Sequence, residues 1–235
     1  MPSAHPSEGA TNVPPASQEP QPARALRALD RFSPDLLLTA QGIRVAIFDV
    51  DGVLTDGRIQ IGGDGESFKS FSTLDGHGLK LLRRGGIEPV VITGRDSPAV
   101  RRRVADLGIQ HAAYGIEDKR RAADALRERL GGSQGPLPWT AVAAMGDDWP
   151  DLPLLLRAGF ACAPPGAHPE VLQAVHHVTT AAAGYGAARE CCDLLLTAAG
   201  RYADLLAGDL RTLDGGGAGD GEGGNGNGTP AAPAG

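Results

Sequence analysis

The chain of 235 residues has few cysteines, no long apolar run and no excess of positive charge, and each absence excludes a class of protein. The cysteines, Cys162, Cys191 and Cys192, have neither the spacing of a metal site nor that of a disulfide framework. No apolar stretch approaches the ~20 residues that cross a bilayer, and the N-terminal residues lack the features of a signal peptide. The net charge of −6 argues against nucleic acid as a general partner. We therefore expect a cytoplasmic protein that binds neither membrane nor nucleic acid.

The two ends of the chain differ in composition from its middle. Residues 1–23 are rich in Pro, Ser, Ala and Gln, and the C-terminal residues are mostly Gly, Asn, Pro and Ala. Such segments bury too little apolar surface to offset the entropy lost on ordering. We predict a disordered extension over 1–23, one folded domain over 24–205, and a Gly-rich disordered tail over 206–235.

The middle of the chain alternates between short apolar runs and amphipathic segments. The first run, 44–49, is followed by a polar, Gly-rich stretch that predicts a β-hairpin, and strands then alternate with helices as far as residue 199. This alternation predicts an α/β fold with a doubly wound, mostly parallel, Rossmann-like sheet. The hairpin is a small insertion in it.

Polar side chains follow several of the predicted strands. Asp49 and Asp51 follow the first apolar run, Thr93 follows a second, Asp147 follows a third, and Lys119 begins a helix after another. Because the carboxyl ends of parallel strands lie along one edge of the sheet, these residues are predicted to share one pocket.

Clustered carboxylates in a pocket require a compensating cation, and Mg²⁺ prefers oxygen ligands together with substrate phosphate. Lys119 and Thr93 are suitable partners for the remaining phosphoryl oxygens. Asp49 is placed to attack phosphorus, and Asp51 to protonate the leaving alkoxide and later activate water. Whether Asp148 or Asp151 also reaches the metal stays open.

The chain resembles the haloacid dehalogenase superfamily of phosphotransferases over roughly residues 43–155. This resemblance implies that Asp49 is the nucleophile, that Asp51 is the general acid and base, and that Thr93 and Lys119 complete the catalytic set. It also implies metal ligation by Asp49, the backbone carbonyl of Asp51, and Asp147. The motifs that carry it are Asp49-x-Asp51-Gly-Val-Leu-Thr, Thr93-Gly94-Arg95, Lys119 and Gly146-Asp147-Asp148-x-x-Asp151.

Further motifs lie outside and between those above. They are Asp56-Gly57, Phe68-Lys69-Ser70-Phe71, Asp75-Gly76-His77-Gly78, Asp118-Lys119 and Gly184-Tyr-Gly-Ala-Ala-Arg189-Glu190. With them the chain resembles, across most of residues 34–197, the 3-deoxy-D-manno-octulosonate 8-phosphate phosphatases. This closer resemblance implies a Mg²⁺-dependent phosphomonoesterase that serves lipopolysaccharide precursor synthesis. Two alternatives stay open: a nonulosonate (sialic-acid-type) 9-phosphate phosphatase, and a non-catalytic oligomeric partner of a sugar-nucleotide synthetase.

The hairpin insertion is too short to form a cap domain over the pocket. A neighbouring subunit is therefore predicted to cover it, and the resemblance implies a homotetramer whose hairpins pair. Cations near the pocket mouth are expected to bind a sugar acid's carboxylate, although each also suits a surface or capping role. The predicted substrate contacts are Asp51, Thr55, Lys69, Asp75, His77, Arg95 and Arg189.

Overall fold

The computed structural model describes residues 31–63 and 65–214. None of the helices in these two ranges is long and apolar enough to cross a membrane. The strands, in chain order, are β1 Val45–Phe48, β2 Gln60–Gly62, β3 Gly65–Phe68, β4 Glu88–Ile92, β5 His111–Ala113, β6 Val142–Met145, β7 Phe160–Ala163 and β8 His177–Val178.

Six of these strands form one sheet in the order β5-β4-β1-β6-β7-β8, and all of its neighbouring pairs are parallel. The other two, β2 and β3, form a separate antiparallel hairpin. The predicted parallel α/β sheet with a hairpin insertion is therefore confirmed. The helices, in chain order, are α1 Pro34–Thr39, α2 Thr73–Arg84, α3 Pro98–Leu107, α4 Lys119–Gly131, α5 Leu152–Leu155, α6 Pro169–Ala174, α7 Ala187–Ala198 and α8 Tyr202–Asp214.

The helices cover both faces of the sheet, which explains why the strands are apolar without alternation. In β1, Ala46 and Phe48 belong to a core with α2, α3 and α7, whereas Val45 and Ile47 belong to a second core with α4, α5 and α6. All four residues of β1 are buried. The central strand is thus held from both sides, and the residues that follow it have a fixed position.

The predicted C-terminal boundary needs correction. Residue 206 lies inside α8, so residues 206–214 are helical and do not belong to a disordered tail. Leu205 of this helix packs against the core, which gives the helix an apolar contact that composition alone did not indicate. The predictions for 1–23 and for 215–235 lie outside the described residues, as does the start of the predicted domain at residue 24.

Candidate active site

Three neighbouring strands direct their carboxyl ends into one cavity of about 630 Å³. Asp49 follows β1, Thr93 follows β4 and Asp147 follows β6, and β1 lies between the other two strands. All three residues line the cavity, together with Asp51 and Lys119. The sheet topology therefore brings together residues that are nearly 100 positions apart in sequence.

Asp49 and Lys119 form the buried centre of the cavity. The Lys119 Nζ lies 2.9 Å from Asp49 Oδ1 and 2.6 Å from Asp151 Oδ1, and all three side chains are less than a tenth exposed. Lys119 is the first residue of α4, where the Asp118 side chain caps the helix by accepting the N–H of Arg121. A lysine with so little solvent contact requires carboxylate partners, and here it has two.

Burial shifts the pKa values of Asp49 and Lys119 in opposite directions, because it disfavours the charged form of each group. Burial, and then the charge of Asp151, raises the pKa of Asp49 to about 6 although Lys119 opposes the change. For Lys119, burial lowers the pKa, but the charges of Asp49 and Asp151 outweigh it and leave the pKa above its ordinary value. The ammonium therefore stays protonated, and Asp49 carries less negative charge at neutral pH than a surface aspartate would.

Asp147 adds a third carboxylate, and within residues 31–63 and 65–214 no cation forms an ion pair with it. Burial, followed by the charges of Asp49 and Asp151, raises the pKa of Asp147 to about 7. Carboxylate oxygens of Asp49, Asp147 and Asp151 all lie within 4.8 Å of one another. Such a concentration of hard oxygen donors, with more negative charge than Lys119 can balance, suits a Mg²⁺ ion.

Asp151 is less available to a metal than the other two carboxylates. Its Oδ1 accepts from Lys119, and its Oδ2 accepts the backbone N–H of Asp147 at 3.1 Å and that of Asp148 at 3.4 Å. Asp151 therefore shapes the loop after β6 and orients Lys119. Asp49 and Asp147 offer the carboxylate oxygens that a metal would meet.

The glycine after Asp51 makes room for this arrangement. Gly52 has a φ of +85°, and a Cβ added there would overlap the Asp147 carboxylate. Only glycine combines this backbone conformation with the absence of a side chain. The sequence Asp51-Gly52 thus reflects the close approach of the loop after β1 to the loop after β6.

Asp51 lies at the mouth of the cavity, between two cations. Its Oδ1 is 2.5 Å from Lys69 Nζ, and its Oδ2 is 3.7 Å from Arg95 Nε. Thr55 Oγ1 also donates to the Asp51 carboxylate, at 3.5 Å, and to the Val50 carbonyl, at 3.3 Å. Asp51 therefore faces the space that a phosphate ester would occupy without belonging to the carboxylate cluster of Asp49.

No protein-family model matches the chain. The 3-deoxy-D-manno-octulosonate 8-phosphate phosphatase KdsC of Escherichia coli K12 is 41% identical over 169 residues, which are 72% of this chain and 87% of that protein. The corresponding phosphatase of Yersinia pestis is 39% identical over 164 residues, covering 70% and 85% respectively. The chain belongs to this phosphatase family.

Solved structures agree with this assignment to the 3-deoxy-D-manno-octulosonate 8-phosphate phosphatase family. The Moraxella catarrhalis enzyme, in complex with magnesium, phosphate and KDO, has a TM-score of 0.71 and 35% identity, and the match covers 76% of this chain and 99% of that one. The cobalt-bound Haemophilus influenzae enzyme has a TM-score of 0.68 and 39% identity, covering 73% and 99%.

Three of the predicted substrate contacts of this family member lie away from the cavity. Asp75 is buried in α2, where its carboxylate accepts the backbone N–H groups of Gly186, at 3.2 Å, and Arg189, at 2.8 Å. Arg189 itself donates to Asp193 at 2.7 Å, and His77 is exposed. Asp75 and the Arg189 backbone connect α2 to the start of α7, and within one chain none of the three residues lines the cavity. Their role as substrate contacts therefore stays a prediction.

Sequence reasoning left the role of Asp151 open and did not anticipate Glu66. The Asp148-x-x-Asp151 spacing, in which the second acid reaches back to the N-terminal turn of a short helix, was the available signal for Asp151. Glu66 lies on the hairpin, where it contacts Lys69 at 3.3 Å and accepts from Ser97 at 2.6 Å. No local pattern could have revealed this contact, because hairpin and helix are 31 residues apart.

Proposed function

We propose that this protein is a Mg²⁺-dependent phosphatase that hydrolyses 3-deoxy-D-manno-octulosonate 8-phosphate to the free sugar acid and inorganic phosphate. The relatives above carry this activity in their names, at about 40% identity over most of their length. The observation that carries the proposal is the convergence of Asp49, Lys119 and Asp147 in one cavity, with Asp51 at its mouth.

Asp49 is the proposed nucleophile. One of its carboxylate oxygens forms a bond to phosphorus while the bond from phosphorus to the sugar oxygen breaks, which leaves an aspartyl-phosphate. Lys119 holds the Asp49 carboxylate in position and supplies positive charge beside the transferring group. Thr93, which is buried at the end of β4, is placed to donate its hydroxyl proton to a phosphoryl oxygen.

Asp51 is the proposed general acid and base. Its carboxyl proton passes to the departing sugar oxygen in the first half of the reaction. In the second half it takes a proton from the water that attacks phosphorus, which releases inorganic phosphate and restores Asp49. Lys69 and Arg95 hold its side chain in place at the mouth.

Asp49, Asp147 and the backbone carbonyl of Asp51 are the proposed metal ligands. A bound Mg²⁺ reduces the repulsion between an anionic nucleophile and an anionic phosphate. The Gly52 backbone, with no side chain to displace the Asp147 carboxylate, keeps this corner of the cavity open. Asp151 contributes by orienting Lys119 and the loop that carries Asp147.

The two alternatives have less support. A non-catalytic partner of a sugar-nucleotide synthetase has no need for buried acids that raise one another's pKa, yet the whole set is present. A nine-carbon sugar acid is the weaker candidate substrate, because the relatives described above are named for the eight-carbon acid.

We further propose that the protein works in the cytoplasm, in lipopolysaccharide precursor synthesis, as a homotetramer assembled through its hairpins. The hairpin supports this assembly, because Ile61 is 72% exposed and Phe68 is 57% exposed. An exposed apolar hairpin favours pairing with another copy. A neighbouring subunit would also shield the open cavity from water during the reaction.

Phosphate release from 3-deoxy-D-manno-octulosonate 8-phosphate, a nine-carbon sugar-acid phosphate and a hexose phosphate tests the activity. We expect the eight-carbon acid to be preferred, turnover to be lost in EDTA, and Asp49→Asn to lower kcat by about a thousandfold or more. Asp35→Asn, at an exposed position on α1, is the matched control and should retain full activity. Turnover by Asp49→Asn at the wild-type rate, or a preference for the hexose phosphate, would contradict the proposal.

A further inference from the structure

A second cavity, of about 420 Å³, adjoins the catalytic one. The two share Gly57 and Asp147, so a ligand with its phosphate near Asp49 can extend past Gly57 into the second space. Small and apolar residues form much of the lining of this second cavity, and Arg58 is the only cation among the described residues that line it. The lining residues are Gly52, Asp56, Gly57, Arg58, Asp147, Pro164, Gly166, Ala182, Ala183 and Tyr185.

The side of this cavity that carries Tyr185 is fixed to the loop after β1. The Gly184 N–H donates to the Val53 carbonyl at 3.1 Å, and a Cβ on Gly184 would meet the backbone of Thr55 and Asp56. Glu190, which is buried, accepts the Thr180 backbone N–H at 3.0 Å and its hydroxyl at 2.7 Å. The segment that carries Tyr185 therefore has a defined position beside the loop after β1.

A sugar acid brings a carboxylate as well as a phosphate, and the catalytic cavity has little positive charge to offer it. Lys119 is paired with Asp49 and Asp151. The Lys69 side chain is fully buried against Asp51 and Glu66. These two cations already balance carboxylates of the protein itself.

The other two arginines expected to bind the carboxylate are also engaged. Arg95 lies 3.7 Å from Asp51, and Arg189 lies on the α7 surface, where it pairs with Asp193. Arg58 differs from both, because no carboxylate in the described ranges lies within ion-pair distance of its guanidinium. Its backbone N–H is held by Asp56 Oδ1 at 3.0 Å, which fixes where the side chain begins.

We propose that Arg58 binds the carboxylate of the sugar acid in this second cavity, with the exposed Tyr185 ring forming the wall against the sugar. The inference rests on the proposed function and assigns the specificity for an acidic sugar to one residue. A guanidinium suits this task because it binds a carboxylate through two parallel N–H donors. Tyr185, which is 71% exposed, presents both an apolar face and a hydroxyl.

The test compares two substrates in the Mg²⁺-loaded enzyme: 3-deoxy-D-manno-octulosonate 8-phosphate and a neutral pentose 5-phosphate, which lacks the carboxylate. Arg58→Ala should lower kcat/KM for the acid by about 10- to 100-fold, mainly through KM, because a charge-assisted pair is lost. For the neutral sugar phosphate the change should stay within about twofold. Arg58→Lys should recover part of the loss, since it restores charge without the bidentate geometry.

Arg157→Ala, an exposed arginine that lines neither cavity, is the matched control and should change neither value. An equal loss for both substrates, or no loss for the acid, would overturn the role of Arg58. Wild-type enzyme that does not prefer the acid would instead contradict the proposed function. The two failures are therefore distinguishable.

Discussion

The catalytic centre and the hairpin differ in how far their side chains find partners within one chain. At the centre, Asp49, Lys119 and Asp151 are buried, and each has a charged partner within 3 Å. On the hairpin, β2 is exposed throughout, and large apolar side chains such as Ile61 face solvent. The pairing of Lys119 with its two carboxylates is complete in a single chain, whereas the hairpin leaves an apolar surface exposed.

This difference separates the chemistry from the recognition. Buried, mutually paired charges keep a fixed geometry, which is what phosphoryl transfer requires of its nucleophile and its cation. An exposed hairpin and a cavity open to solvent are instead suited to a second subunit and to the variable part of a substrate. A change confined to one region therefore tests whether the other region responds.

Replacing the central cation should have the largest effect. Lys119→Met leaves Asp49 and Asp151 buried without the cation that pairs with both, so we expect stability to fall by about 3–5 kcal/mol and kcat by about a hundredfold or more. Urea unfolding and phosphate release measure the two effects. Lys80→Met, at an exposed position on α2, should alter neither, and an equally small effect of Lys119→Met would show that the centre is not an obligate charge network.

Adding a methyl group at Gly52 should disturb the contact between the loop after β1 and the loop after β6. Gly52→Ala places a Cβ against the Asp147 carboxylate at a φ of +85°, so we expect Mn²⁺ affinity to fall about tenfold and stability to fall by about 1–3 kcal/mol. Mn²⁺ binding, followed by electron paramagnetic resonance, is the readout. Gly42→Ala shares the left-handed backbone, at a φ of +76°, but meets no atom within 4 Å. If both variants bind Mn²⁺ equally well, the clash at Asp147 has no bearing on the metal.

The metal-free protein should lose stability as pH rises. The pKa of Asp147 is raised to about 7 in the folded state, so between about pH 4 and pH 7 the folded chain holds a proton that the unfolded chain has released. Stability therefore falls progressively as pH rises through that range, by about 1–2 kcal/mol in total after allowance for solvent screening. Thermal unfolding in EDTA from pH 5 to pH 8 measures it, and Mg²⁺ should restore stability at the higher pH.

Asp147→Asn supplies the control for this pH dependence. The amide cannot ionise, so the variant should be more stable than the wild type at pH 8 without metal, and it should gain little from Mg²⁺. An Asp147→Asn profile with the wild-type slope would assign the effect to other groups, Asp49 first among them.

Changing the hairpin should have the smallest effect on a single chain. Phe68→Ser removes an exposed apolar side chain, so stability of the subunit should change by less than about 0.5 kcal/mol, whereas the oligomer should dissociate. Sedimentation velocity measures the assembly state. Leu38→Ser, at a similarly exposed position on α1, should leave the assembly intact. A Phe68→Ser protein of unchanged mass would contradict hairpin-mediated assembly.

Much of the fold and of the centre could be predicted because the signals are local. The run Val45–Phe48 is apolar on both faces, since helices cover both sides of the sheet. In such a sheet the residues after parallel strands meet at one edge, so Asp49, Thr93 and Asp147 could be placed together without knowledge of any contact. The antiparallel hairpin followed from its Gly-rich turn in the same way.

The remaining features depended on contacts between distant segments. Packing of α2 against α7 directs the Asp75 carboxylate to the backbone N–H groups of Gly186 and Arg189, a contact that no local pattern indicated. The continuation of α8 through residue 206 likewise depends on its packing against the core.

The sequence by itself determined the parallel sheet and the identity of the acids at its strand ends, because hydrophobic periodicity and strand-end chemistry act over a few neighbouring residues. Only the tertiary structure decided which cations are already paired, and that a second cavity containing Arg58 lies beside the first. Ion pairing and cavity shape depend on the distance between segments that are far apart in the chain, and no local pattern encodes that distance.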